Sequence, residues 1–297
     1  MKILCIGNVA YDITLPLNHY PVENNKYKAD LKIECSGGTC ANSASLLSKW
    51  GMEVYFAGRV GNDLYGKKII DEFNDIGVNI KYLQIDDKET TISYILVNKE
   101  NGSRTIVSTN GISDTMEKID LNFIPDIILI DGKEYEASKE IINKYPTAIS
   151  IIDASNIKPN ILELCTMCNY VVCSKNFMRK VSGIDIDNLD NIEEGIKCLE
   201  DKFNTNIIVT LEDKGCAYRD SNSNIVIIPG ISMNAVDTTG AGDIFHGAFT
   251  YGVAHNWEME KILKFSNVAG GLSVTKYGGR NSIFSLEEVE EKYNEIK

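Results

Sequence analysis

Asp237-Thr238-Thr239-Gly240-Ala241-Gly242-Asp243 runs without a break into the helix-like segment Ile244–Tyr251. Gly240 and Gly242 allow backbone conformations that other residues resist, so neighbouring amides can turn inward together. Those amides stand at a helix N-terminus, where the dipole and free N–H groups favour an anion. Asp243 sets a carboxylate at the same place. This pairing suits phosphoryl transfer: the amides hold charge developing on the moving group, and the carboxylate takes the proton of an attacking hydroxyl. An Asp in the first turn of an ordinary helix behind a glycine turn is the competing reading. The intact seven-residue stretch favours the chemical one.

Upstream, short apolar runs alternate with amphipathic stretches. Ile3–Ile6, Val54–Ala57, Ile127–Ile130, Ile149–Ile152, Tyr170–Cys173 and Ile207–Thr210 read as buried strands, each bounded by Gly, Asp, Asn or Ser. Ala41–Lys49, Tyr65–Phe73, Ser138–Lys144 and Ile192–Lys202 read as helices between them. Such alternation implies an α/β fold, a parallel sheet with helices on both faces. Gly215–Asp220 and Asn224–Pro229 read as a hairpin, and Gly240–Asn256, Glu258–Val274 and Leu286–Ile296 as helices. Tyr27–Glu34 and Thr90–Val107 break the rhythm with looser alternation, as in half-exposed antiparallel strands, and Asn101-Gly102 is a hairpin-turn dipeptide. They form a small inserted sheet, read either as a lid or dimer contact or as a decorative hairpin. Residues 1–297 are one main domain, with lid segments near 13–34 and 88–110.

A second glycine stretch, Cys35-Ser36-Gly37-Gly38-Thr39-Cys40-Ala41-Asn42-Ser43, opens the first helix. Adjacent glycines let a polyhydroxy ligand approach the backbone, and the Asn42 amide both donates and accepts toward hydroxyls. Asp12, in Gly7-Asn8-Val9-Ala10-Tyr11-Asp12, follows the first strand, where open α/β sheets bind ligands. Alone, each reads equally as a turn or a solvated loop residue; their order with Asp237–Asp243 raises them. No G-x-x-x-x-G-K-[ST], no post-strand G-x-G-x-x-G and no H-R-D or D-F-G element occurs, which sets aside P-loop, dinucleotide and protein-kinase chemistry.

The chain has 297 residues, 43% of them hydrophobic, with 30 Lys+Arg against 42 Asp+Glu for a net charge of −12. That acidic balance argues against a nucleic-acid partner, which needs a basic face. No apolar run reaches the roughly 18 residues of a membrane span, and no export signal is read at Met1–Ile6, so a cytoplasmic protein is expected. The eight cysteines read as reduced thiols; Cys165-Thr-Met-Cys168 lacks the second ligand pair of a zinc site.

On these motifs the chain resembles the PfkB (ribokinase-like) carbohydrate kinases over nearly its whole length. Gly37–Asn42 and Asp237–Asp243 are similar to the family's two signatures, and Gly58-Arg59-Val60-Gly61-Asn62-Asp63 with Gly66 to a third recurring stretch. The resemblance implies a Rossmann-like domain with a β-sheet lid often used for homodimerisation, and ATP-dependent, Mg2+-requiring phosphorylation of a sugar hydroxymethyl. It implies Asp243 as base, Gly240, Ala241 and Gly242 as anion hole, and Asp12, Gly38, Thr39 and Asn42 as sugar contacts. Arg104 resembles the lid arginine that reaches substrate; a solvated strand charge is its even alternative. Lys175, Thr210, Gly215 and Asn267 match the nucleotide side, with Glu212 where the family's T-L-G-x-x-G has glycine. Asn267 reads also as a helix-face residue. Activation by K+, found in parts of the family, would place the ion at Asp237 and Thr239. Many members carry N-x-x-E where Asn176 to Arg179 stand here, so Mg2+ is expected on water, phosphates and other carboxylates. The Ser174-Lys175 start, Asn101–Val107 and Tyr20-Pro21 resemble the ketohexokinase-like branch, which implies a ketose or related sugar; Thr39 and Asn24 replace its polar ketose contacts. The alternatives are a nucleoside or pseudouridine kinase, with Tyr11 stacking on the base, and a non-catalytic sugar sensor.

Overall fold

Short β-branched runs suit strands buried on both faces, and such runs build the centre of this molecule. The computed structural model describes residues 1–109, 111–112, 115–116, 118–186 and 189–296; positions 110 and 297, the ends of the second lid segment and of the expected domain, lie outside them. The described strands are β1 (Lys2–Ile6), β2 (Ala10–Leu17), β3 (Ile33–Gly37), β4 (Glu53–Gly61), β5 (Asn79–Asp86), β6 (Ile92–Asn98), β7 (Arg104–Ser108), β8 (Ile127–Ile130), β9 (Ile149–Ala154), β10 (Tyr170–Ser174), β11 (Asn206–Thr210), β12 (Cys216–Arg219) and β13 (Ile225–Ile228). The α-helices are α1 (Thr39–Lys49), α2 (Leu64–Asp75), α3 (Tyr135–Lys144), α4 (Pro159–Cys165), α5 (Lys175–Ser182), α6 (Ile192–Phe203), α7 (Ala241–Ala254), α8 (Met259–Ser273) and α9 (Leu286–Glu295).

The large sheet runs β13-β12-β11-β10-β9-β8-β1-β4-β5, parallel from β11 to β5 and closed by the antiparallel β12–β13 hairpin. Successive side chains point to opposite faces. Ile3 and Cys5 of β1 therefore join a core with α1, α2, α7, α8 and α9, while Leu4 and Ile6 join one with α3 to α6. The strand order reverses at β1, which makes its carboxyl end a place where open α/β sheets bind ligands. All eight cysteines are free thiols. Among the described residues no helix is long and apolar enough to cross a membrane.

A separate sheet, β3-β2-β6-β7, matches the ribokinase-like lid in outline and departs from the expectation in three details. Asp12 lies inside β2 rather than in a loop after β1, because Ala10–Leu17 peels away to pair with β3 and β6. The strand expected at Tyr27–Glu34 begins only at Ile33 and runs into the glycine stretch, ending at Gly37; residues 27–32 are exposed and unpaired in any sheet. The sheet is not wholly antiparallel, since β2 and β6 pair parallel, Asp12 beside Ser93. Local alternation marks a half-exposed strand but carries no information about which distant strand it meets.

Candidate active site

The two motif helices begin side by side. Gly38, at φ 101, is the N-cap of α1, and a side chain there would strike the Asn8 carbonyl at 2.5 Å. Gly240, at φ 78, is the N-cap of α7, where a Cβ would meet Gly279 Cα at 2.8 Å. Both helix starts thus use conformations that glycine adopts without strain. Ser43 Oγ donates to the Asp243 carbonyl at 2.8 Å, and Asn42 Nδ2 donates to Asp243 Oδ2 at 2.7 Å. Two helix N-termini converge here, and their dipoles add.

Asp243 is half-buried, and Gly242 beside it is exposed at the tip of α7. Burial, with the Asp153 carboxylate nearby, pushes the Asp243 carboxyl up to about 7; Asn42, His246 and Arg104 pull the other way. A carboxyl near neutrality is poised to exchange a proton. The second Asn42 atom, Oδ1, is buried without a hydrogen-bond partner among the described residues, an acceptor left for a ligand hydroxyl.

Asp12 reaches the same region from the lid. Its carboxylate lies over Gly37, where a Cβ would come within 2.0 Å of Oδ2, so only glycine admits it. Burial pushes Asp12 up to about 6, opposed by the Ser93 hydrogen bond and Arg280. Thr39 is the first residue of α1, its carbonyl held by Ser43 Oγ at 3.3 Å. Arg104, although exposed, is not a free strand charge: its Nη1 donates to Thr238 Oγ1 at 2.7 Å. Thr238 in turn donates to the Gly102 carbonyl from Oγ1 at 3.1 Å and from its amide at 3.2 Å. The β6–β7 turn is latched onto the motif that holds Asp243.

Asp237 closes that motif on itself, Oδ1 accepting from the Thr239 amide and Oδ2 from the Gly278 amide, both at 2.9 Å. Thr239 Oγ1 beside it is buried with no partner among the described residues. The expected nucleotide residues lie farther along the same sheet edge. Lys175 opens α5 behind its N-cap Ser174, and Thr210, paired with Ser174 across the parallel β10–β11 register, donates to the Cys173 carbonyl at 3.3 Å. Gly215 follows at φ 97, and Glu212 holds φ 60, the left-handed conformation that glycine would take more easily. Asn267 is buried, and its Nδ2 donates at 3.1 Å to both the Ile228 and Pro229 carbonyls, binding α8 to the end of β13. Arg179 is exposed and donates to Asn176 Oδ1 at 3.2 Å.

One expectation fails. Tyr11, offered for stacking on a base, is 3% exposed, packed on Tyr65 at 4.9 Å with its hydroxyl at Glu34 and Lys68. Sequence reasoning also missed residues. Asp131 and Asp153, acids at or just past the carboxyl ends of β8 and β9, are buried at the ligand-facing edge, a position that could have flagged them. Asp131 accepts from the amides of Asn8, Cys40 and Lys133, tying β1 to α1. Arg280 lies buried over the Phe73 ring at 4.7 Å and 3.5 Å from Glu72, which accepts from the Ser36 amide of β3.

The profile of the pfkB family carbohydrate kinases matches residues 1–285. A deoxyribokinase of Salmonella typhi is 26% identical over 98% of this chain and 98% of its own, and a ribokinase of Lactococcus lactis is 26% identical over 100% and 98%. The crystal structure of ribokinase from Thermotoga maritima superposes with a TM-score of 0.83 at 26% identity, covering 99% of both chains.

Proposed function

The chain belongs to the pfkB family of carbohydrate kinases and is an ATP-dependent sugar or nucleoside kinase; we propose that it moves the γ-phosphoryl group onto a hydroxymethyl oxygen of a small sugar, with Asp243 as the base. Asp243 takes the hydroxyl proton, the oxygen attacks phosphorus, and the bond to the ADP oxygen breaks. The converging amides of residues 240–242 receive the charge spread over the moving group. The observation that carries this reading is the Asn42–Asp243 hydrogen bond of 2.7 Å at the joined N-termini of α1 and α7. It aims the carboxylate at the place where Asn42 Oδ1 is left to accept from the sugar. Asp243→Asn is expected to keep ATP binding, read by calorimetry, and to lose about 10³-fold in turnover. Turnover within a few-fold of the native enzyme removes the base assignment.

Asp12, Gly38, Thr39 and Asn42 line the sugar side in this reading, with Arg104 closing from the lid, and Lys175, Thr210, Gly215 and Asn267 serve the nucleotide. Closure excludes water, a competing nucleophile. The Asn101–Val107 stretch supports a ketose, and the relatives named ribokinase and deoxyribokinase support an aldopentose. A coupled ADP assay over D-fructose, D-ribose, 2-deoxy-D-ribose and nucleosides separates these. The nucleoside reading has lost Tyr11 as its stacking ring, and a sensor has no need of Asp243. Among the described residues no three Asp, Glu, His or Cys side chains group to hold a metal, so Mg2+ fits as part of the ATP complex, on phosphate and water. The unpartnered Thr239 Oγ1 beside the buried Asp237 carboxylate fits K+; equal rates in potassium and tetramethylammonium salts would count against it. We place the enzyme in the cytoplasm, where ATP and free thiols coexist, and cell fractionation tests that.

A further inference from the structure

Two buried titratable groups stand behind the base, and the reaction above uses neither. Asp153, near the end of β9, is 5% exposed, and His246, one turn along α7 from Gly242, is 4% exposed. His246 Nδ1 lies 2.6 Å from the Gly242 carbonyl and 3.1 Å from Asp153 Oδ2, and Nε2 lies 3.1 Å from the Val172 carbonyl on β10. All three neighbours are acceptors. A neutral imidazole has a single N–H and would set a bare ring nitrogen against a carbonyl oxygen. Only a ring carrying hydrogen on both nitrogens satisfies these contacts, and a charge so deeply buried needs a counter-charge, which an ionised Asp153 supplies.

We propose that Asp153 and His246 are positioning residues for the phosphoryl transfer, a buried ion pair that clamps the peptide joining Gly242 to Asp243 and sets the charge the base feels. The proposal rests on the reading of Asp243 as base. Gly242 has no side chain to restrain its peptide, so an anchored carbonyl keeps the anion-hole amides aimed. The groups facing Asp243 are Asn42 and Cys40 from α1, Asp153 from β9, Arg104 from the lid and His246 on its own helix. Asp153 raises the Asp243 carboxyl and His246 lowers it. Burial raises the Asp153 carboxyl, His246 lowers it, and the Asp131 carboxylate adds a smaller upward push. Within the pair the two influences oppose, and together they leave Asp243 able to act as a base near neutral pH.

The test is a pair of near-isosteric variants and their combination. The acid limb of kcat/KM is measured with ATP and whichever of D-ribose, 2-deoxy-D-ribose and D-fructose turns over fastest. Each single variant, Asp153→Asn or His246→Gln, strips the other group of its counter-charge, so that partner neutralises as well. The acid limb is then expected to stay within a few tenths of a pH unit of the native value while kcat falls about tenfold as the Gly242 peptide loosens. The double variant, neutral at both positions, is expected to lose no more than either single, because the two groups act as one unit. Losses that multiply in the double variant would show two independent structural residues, and that outcome overturns the proposal. A readout without turnover is nitrogen NMR of the native enzyme. It has three histidines, His19, His246 and His255. One buried ring with hydrogen on both nitrogens and slow proton exchange is expected at neutral pH; a buried ring with one bare nitrogen overturns the assignment even where His246→Gln fails to fold. Loss of the base reading itself looks different: Asp243→Asn stays active and the native enzyme has no acid limb.

Discussion

Asp243 is placed where its chemistry and its cost to folding oppose each other. In its proposed role as base it must be ionised, so kcat/KM is expected to rise as pH climbs through about 7, the range to which burial and Asp153 push its carboxyl. In the unfolded chain the same group loses its proton near pH 4. Between those values the folded protein holds a proton that the unfolded chain has released, so this residue's contribution to stability falls as pH rises from about 4 to about 7. Asp243→Asn, which still accepts from Asn42, is therefore expected to be more stable than the native enzyme above pH 7, by roughly 2 kcal/mol, with the gap closing toward pH 4. Denaturant unfolding at pH 5 and pH 8 checks this; an equal difference at both would show that the carboxyl titrates alike in the folded and unfolded states. The residue itself was legible, because glycine and acid spacing is written locally. The value to which its carboxyl moves was not, because that comes first from burial by the packed fold and then from Asp153, which arrives from another part of the chain.

Among the elements, the lid turn and the motif loop share one hydroxyl. Thr238 Oγ1 accepts from Arg104 and donates to the Gly102 carbonyl. Thr238→Val keeps the shape and removes both bonds while leaving the amide bond to Gly102. It is expected to raise KM for the sugar about threefold to tenfold with a smaller change in KM for ATP, the size of one charge-assisted hydrogen bond at a partly exposed site. Steady-state kinetics with each substrate varied decides this, and parallel changes in both constants would remove the latch from sugar capture. The Asn101-Gly102 turn was readable, since Gly102 at φ 69 joins β6 to β7 as a hairpin dipeptide should. The latch was not, because nothing local to residues 101–104 indicates that Thr238 lies opposite. Glu212 shows the reverse: the family pattern expects glycine, and the backbone keeps a glycine-like φ of 60 despite the side chain.

At the scale of the molecule, β7 is an edge strand exposed along its length, and Tyr94 and Val107 stand in register on one face, 41% and 59% exposed. An apolar edge of that kind invites pairing with a second copy. Val107→Lys is expected to convert a lid-mediated dimer to monomer in sedimentation; an unchanged species would place any dimer contact elsewhere. The sequence by itself determined the α/β class, the order of buried strands, the hairpin at β12–β13 and the glycine–acid centre, because periodicity and turn chemistry are properties of neighbouring residues. Only the tertiary structure decided that Asp12 sits in a lid strand, that β2 meets β6 in parallel, and that Asp153 and His246 face each other beneath Gly242. Those are pairings between distant segments, selected by which arrangement buries apolar surface and leaves each buried polar group a partner, and no local stretch of chain encodes that choice.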